Sequence, residues 1–224
     1  MPQKVKKRMK SSPGLPAIID WIVRRCDGTY RRGNWAGKGP LPSIKGVTAR
    51  VAHRRHPGQH TIAEIVLHMA YWKDAVTARL TGQQWRYDES QNWRAAVATE
   101  EGWAQARAEL GAAHRRLMAA LRTLTPGRLL EPVRGPWRLI DLSADIATHD
   151  TYHAAQIFVL RRLEATHKTS RETERHRRIG LPTTSVRRPT DELPRLHPPL
   201  WISRAGPDPE GKSARRSKRS HARP

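Results

Sequence analysis

The chain has 224 residues, a net charge of +22, 37% hydrophobic residues and one cysteine. This length supports one domain with a buried core, and the single cysteine excludes an intrachain disulfide. A chain without a disulfide fits a reducing compartment, so we expect a cytoplasmic protein. No apolar run approaches the roughly 20 residues that span a bilayer.

The positive charge is concentrated at the two ends of the chain. Residues 1–12 carry five Lys/Arg and no acid, and residues 166–224 carry fifteen Lys/Arg against six acids. The second segment also lacks an apolar stripe and is rich in Pro, Ser and Thr, which is typical of disorder. We therefore predict a basic extension over 1–12, a folded domain over 13–165 and a disordered basic tail over 166–224.

The first predicted helix runs from about Pro16 to about Tyr30. Its apolar stripe comprises Ile18, Ile19, Ile22, Val23 and Cys26. We expect Cys26 to be a small buried hydrophobe, with a catalytic thiol as the alternative. Residues 33–60 are rich in Gly, Pro and basic residues without a clear period, which indicates a long loop.

The second predicted helix has the clearest start signal in the chain. Thr61 and Glu64 have the spacing of a capping box, in which each side chain binds a free backbone amide of the first turn. Apolar residues then recur at helical spacing up to Gly82: Ile62, Ile65, Met69, Trp72, Val76 and Leu80.

Two further helices complete the predicted fold. The third runs from about Thr99 to Leu124, and its stripe comprises Trp103, Ala106, Leu110, Ala113, Leu117, Leu121 and Leu124. The fourth runs from about Leu139 to Leu163, with a stripe of Leu142, Ile146, Ile157 and Leu160. No segment has a convincing strand pattern. Four amphipathic helices predict an all-α four-helix bundle with a long loop after the first helix.

Three histidines lie on the core side of these stripes. His149 and His153 occupy positions i and i+4 of the fourth helix, so their rings share one face. His68 falls on the core side of the second helix. If these helices are neighbours, the three imidazoles enter one cavity and can bind a metal ion with a position left open. The alternative is three hydrogen-bonded core histidines. A second pair, His56 and His60, lies in the loop and is a weaker candidate.

The same segments carry a family resemblance. GQHTIAEIVLHMAYWKDAVTARLTG at 58–82 and HDTYHAAQIFVLRRL at 149–163 resemble the DinB-like bundle family, a damage-inducible group of bacterial metal-binding proteins. The likeness covers roughly residues 15–165. It implies a four-helix bundle that binds one divalent ion, often nickel or zinc, through His68, His149 and His153. Homodimers are common in such proteins, and some relatives are transferases or isomerases that use low-molecular-weight thiols.

Several neighbours of the histidines are candidates for supporting roles. Asp145, one turn before His149, is either a hydrogen-bond partner of that ring or a solvated helix-face acid. Asp150 points away from the stripe, which indicates a structural role. Tyr152 and Trp72 are candidates for the pocket wall, with core packing favoured for Trp72. Gln156 is a candidate to bind a substrate or the backbone.

The sequence leaves three functions open. The first is a metal-dependent enzyme, of the thiol S-transferase or hydrolase type, that acts on a small molecule and has unknown catalytic residues. The second is a nucleic-acid or polyanion binder that uses its basic ends nonspecifically. The third is a bundle with a purely structural metal.

Overall fold

The computed structural model describes residues 14–178, which fold into a predominantly helical protein. In chain order the helices are α1 (Leu15–Arg31), α2 (Pro40–Ile44), α3 (Ala49–Ala52), α4 (Ile62–Leu80), α5 (Glu89–Asn92), α6 (Glu100–Thr123) and α7 (Leu139–Arg178). The long helix α4 packs against α6 and α7, and α1 packs against the same two helices. The predicted all-α fold is confirmed for this part of the chain.

Helix α4 begins where the sequence predicts. The Thr61 hydroxyl accepts a hydrogen bond from the Glu64 amide at 3.1 Å, and the Glu64 carboxylate accepts one from the Thr61 amide at 2.9 Å. These bonds satisfy two of the amides that an α-helix leaves free at its N-terminus. The capping box therefore fixes the first turn of the helix that carries His68.

Most residues of the predicted stripes lie in the core, whereas Ile18, Val23 and Leu142 are only half-buried. All seven stripe residues predicted for the third helix are buried, with Leu124 at the residue that follows α6, and so are the six of α4. On α1, Ile19, Ile22 and Cys26 are buried, and Tyr30 extends the stripe by one turn. This burial of apolar surface on the facing sides of the four long helices is the main force that holds α4 against α7.

The segment expected to be a long loop contains more structure than its sequence suggests. Helices α2 and α3 lie within it, together with a hairpin of β1 (Gly33–Asn34) and β2 (Gly37–Lys38). A second hairpin, of β3 (Pro132–Arg134) and β4 (Trp137–Arg138), precedes α7. The long loop predicted over 33–60 thus contains short helices and a hairpin, and short strands occur where no strand pattern was evident, because elements of two to five residues are too short to show a period.

The last helix also ends later than predicted. It continues to Arg178, so residues 166–178 of the predicted tail are helical. This extension is exposed and carries ion pairs of Glu174 with Arg177 and Arg178 instead of an apolar stripe. The predicted basic extension over 1–12 and the remainder of the tail, 179–224, lie outside the described residues.

Within residues 14–178, no helix combines the length and the apolar character that crossing a bilayer requires.

Candidate metal centre

The structure brings the three candidate histidines together between α4 and α7. Nε2 of His149 lies 3.2 Å from Nε2 of His68 and 3.2 Å from Nε2 of His153. Each of the three residues is at most 2% exposed. The ring nitrogens of all three lie within 4.8 Å of one another, an arrangement that can hold a metal ion.

The far side of two of these rings is fixed by hydrogen bonds. His68 donates from Nδ1 to the backbone carbonyl of Asn92 at 3.0 Å, since a carbonyl can only accept. His153 donates from Nδ1 to Oε1 of Gln156 at 2.5 Å, and the Gln156 amide donates in turn to the Tyr152 hydroxyl. Nδ1 of His149 has no hydrogen-bond partner among the described residues.

These bonds determine what the centre presents. A neutral imidazole with its proton on Nδ1 carries a lone pair on Nε2, so His68 and His153 both direct lone pairs toward His149. A proton on Nε2 of His149 can be directed to only one of them, which leaves a buried acceptor facing other nitrogens. Nitrogens 3.2 Å apart can each lie about 2.0–2.1 Å from one shared ion. The three residues therefore fit a divalent metal.

Electrostatics keep the three rings neutral. Burial lowers the pKa of His68 to about 2 and that of His153 to about 4. Burial, the other two histidines and Lys73 hold the pKa of His149 well below its usual range. Imidazole must be neutral to bind a metal, so the centre is ready for an ion at neutral pH without first losing protons.

The residues predicted to surround the histidines have mixed outcomes. Gln156 binds His153 directly instead of the backbone. The ring of Tyr152 lies 4.9 Å from that of His153, and the ring of Trp72 lies 6.4 Å from that of His149. Asp145 is half-buried, and Nδ1 of His149 has no hydrogen-bond partner among the described residues. Of the two alternatives for Asp145, the hydrogen bond to His149 is therefore excluded.

Sequence reasoning missed the groups that hold the centre in place. Lys73 binds Asp150 through a buried ion pair of 2.6 Å between α4 and α7, which gives Asp150 the structural role expected of it. Asn92 and Trp93, from the segment between α4 and α6, contact His68. A lysine within an apolar stripe was the one available signal, because a fully buried lysine needs a partner.

Two weaker candidates from the sequence lie outside the centre. His60 stacks on Trp93 and His56 stacks on His167, so this pair does not converge on a common point. Cys26 is buried, and its thiol donates to the carbonyl of Ser143. Burial raises the pKa of this thiol to about 12, so it stays protonated at neutral pH. The role expected of Cys26, a small buried residue, is confirmed.

The fold and the centre together define a helical bundle with a buried cluster of three histidines. The sequence model of the DinB superfamily matches residues 41–157, just over half of the chain and a span that contains all three histidines. The protein therefore belongs to the DinB superfamily. No curated protein and no solved structure gives a significant match.

Proposed function

We propose that this protein is a metal-dependent enzyme. It binds one divalent ion, nickel or zinc, through His68, His149 and His153 and uses that ion in catalysis. The observation that carries the proposal is the convergence of three buried Nε2 atoms, two of which direct lone pairs at the same point. Three neutral imidazole ligands suit these metals and leave coordination positions for a water or a substrate.

The ion would supply Lewis acidity, which lowers the pKa of a bound water or thiol enough to make a nucleophile near neutral pH. The chain itself offers no thiolate for this purpose. Its only cysteine, Cys26, is buried with a pKa of about 12 and hydrogen-bonded to α7. A thiol nucleophile would therefore have to come from a small molecule, as in a thiol S-transferase, whereas a metal-bound water would make the protein a hydrolase.

The surroundings of the centre favour one side for substrate entry. Lys73 and Asp150, each 1% exposed, form a buried ion pair that offers no route to solvent. Tyr152, Gln156 and Trp93 are only partly buried and lie against His153 and His68. The Tyr152 hydroxyl and the Gln156 amide are thus the polar groups placed to orient a substrate beside the histidines.

Metal content is the first test of the proposal. Untagged protein should contain close to one divalent ion per chain, and His149→Ala should abolish this content. His114→Ala is the matched control, because His114 is also a buried histidine but lies on α6 outside the cluster. Loss of the ion from both variants, or from neither, would refute the ligand assignment.

The proposed chemistry needs a second measurement. Metal-loaded protein should transfer low-molecular-weight thiols to an electrophile or hydrolyse a small substrate, and a chelator should abolish the reaction. If the loaded protein binds one ion but turns over none of a broad panel of thiols, electrophiles and hydrolysable esters and amides, the enzymatic part of the proposal fails.

A further inference from the structure

The segment that follows α4 folds back over the ring of His68. Its short helix α5 ends at Asn92, whose carbonyl accepts the Nδ1 proton of His68 at 3.0 Å. The next residue, Trp93, stacks on the same imidazole with ring centroids 3.6 Å apart and an interplanar angle of 8°. The position of this ring is therefore set by two consecutive residues from outside α4 and α7.

Asn92 is anchored by its own side chain. Oδ1 accepts a hydrogen bond from Nε1 of Trp72 at 2.9 Å, and Nδ2 donates one to the Tyr87 hydroxyl at 3.1 Å. The residue is 3% exposed. One end of its amide thus ties α5 to Trp72 on α4, and the other ties it to Tyr87 in the segment before α5. Together these bonds fix the direction of the Asn92 carbonyl.

Trp93 restricts the ring from its open face. The indole lies between His60 and His68, with centroid distances of 3.8 Å and 3.6 Å and nearly parallel planes. Parallel stacking limits rotation of the imidazole out of its plane but does not distinguish one ring nitrogen from the other. The choice between the two tautomers of His68 therefore depends on the Asn92 carbonyl.

We propose that Asn92 is a positioning residue that holds His68 in the Nδ1–H tautomer and keeps its Nε2 lone pair aimed at His149 and His153. The structural part of this inference needs no metal. Its consequence for metal affinity rests on the proposed function. If the anchors of Asn92 are lost, its carbonyl moves, and a proton on Nε2 of His68 becomes competitive and blocks the ligand atom.

The tautomer can be read directly in the metal-free protein. Nitrogen-15 spectra of the histidine side chains should show His68 as a single Nδ1–H tautomer, and Asn92→Ala should give a mixture of both. Asn34→Ala is the matched control, because it also removes a side-chain amide bond, here to Thr151 on α7, and leaves the contacts of Asn92 and Trp93 with His68 intact. The control should leave the His68 spectrum unchanged.

Tyr87→Phe provides a variant that does not threaten folding, because Tyr87 is 42% exposed and loses only a hydroxyl. It removes one of the two anchors and should shift the tautomer ratio in the same direction by a smaller amount. An unchanged tautomer in this variant and in a folded Asn92→Ala overturns the inference. If Asn92→Ala does not fold, an unchanged tautomer in Tyr87→Phe overturns it alone.

Metal affinity supplies the second readout. Asn92→Ala should bind zinc about 10–100-fold more weakly than wild type, the usual loss when a partner of a ligating histidine is removed, and Asn34→Ala should bind normally. If Asn92→Ala shifts the tautomer but the protein binds no divalent ion, the proposed function is refuted and the positioning role of Asn92 stands. If the protein binds zinc normally and Asn92→Ala leaves the tautomer unshifted, the positioning role is refuted and the proposed metal binding stands.

Discussion

Nζ of Lys73 lies 2.6 Å from Oδ2 of Asp150, and both side chains are 1% exposed. The pair joins α4 to α7, the two helices that carry the candidate ligands. Lys73 follows His68 by five residues and Asp150 directly follows His149. The ammonium also lies 5.3 Å from the ring of Tyr30 on α1. Because a buried ion pair tolerates little displacement, it fixes the register in which His68 meets the other two histidines.

Breaking this pair should be costly. Lys73→Met leaves the Asp150 carboxylate buried without its partner, which should lower the free energy of unfolding by about 3–5 kcal/mol. Denaturant unfolding of the metal-free protein measures the change. Arg116→Met is the control, because its pair with Asp74 is 2.8 Å long but its side chains are 51% and 31% exposed, and its loss should cost less than about 1 kcal/mol. Equal costs for the two variants would show that the buried pair does not hold α4 and α7 in register.

Removing the metal should not unfold the protein. The core of the four long helices is independent of the three histidines, so the chelated protein should keep its helix content by circular dichroism. Restoring free zinc to 100 times its dissociation constant should raise the free energy of unfolding by about 2.7 kcal/mol. His149→Ala should lose this increment. Unfolding on chelation would instead identify a structural metal.

The metal-free protein should lose stability as the pH falls below neutrality. His114 is buried against Tyr30, and burial together with Lys73 lowers its pKa to about 4, although Asp27 opposes the shift. The unfolded chain protonates this residue near pH 6.5, so between pH 6.5 and 4 unfolding takes up a proton that the folded state does not bind. The free energy of unfolding therefore decreases as the pH falls through this window, and His114 contributes roughly 2–3 kcal/mol.

The contribution of His114 can be separated from that of the three clustered histidines. His114→Gln removes its titration and leaves His68, His149 and His153 unchanged. Between pH 6.5 and 4, the slope of the free energy of unfolding against pH should be smaller in this variant by up to one proton, or about 1.4 kcal/mol per pH unit. Parallel slopes for the two proteins would mean that His114 titrates normally in the folded state.

The sequence predicts helices and their core residues correctly where buried residues recur with the period of an α-helix. The start of α4 follows from Thr61 and Glu64, and the core stripe of α6 is visible residue by residue. The same periodicity places His68, His149 and His153 on core faces. Their convergence then needs only that α4 and α7 be neighbours, which they are.

Features that depend on the register between distant segments were not predictable. Lys73 and Asp150 are 77 residues apart, and nothing in either local pattern specifies the pairing. Asn92 and Trp93 follow an irregular segment whose course is set by contacts with α4. The exposed end of α7 was missed for a different reason, since an apolar stripe reports packing and a solvated helix needs none.

The most direct test of the central claim is X-ray absorption spectroscopy of protein loaded with one zinc or nickel ion per chain. We predict three imidazole nitrogens in the coordination sphere, with the remaining positions occupied by oxygen or nitrogen. His149→Ala should remove one imidazole or prevent binding altogether. A sphere that contains no imidazole, or one that is the same in wild type and His149→Ala, would contradict the account.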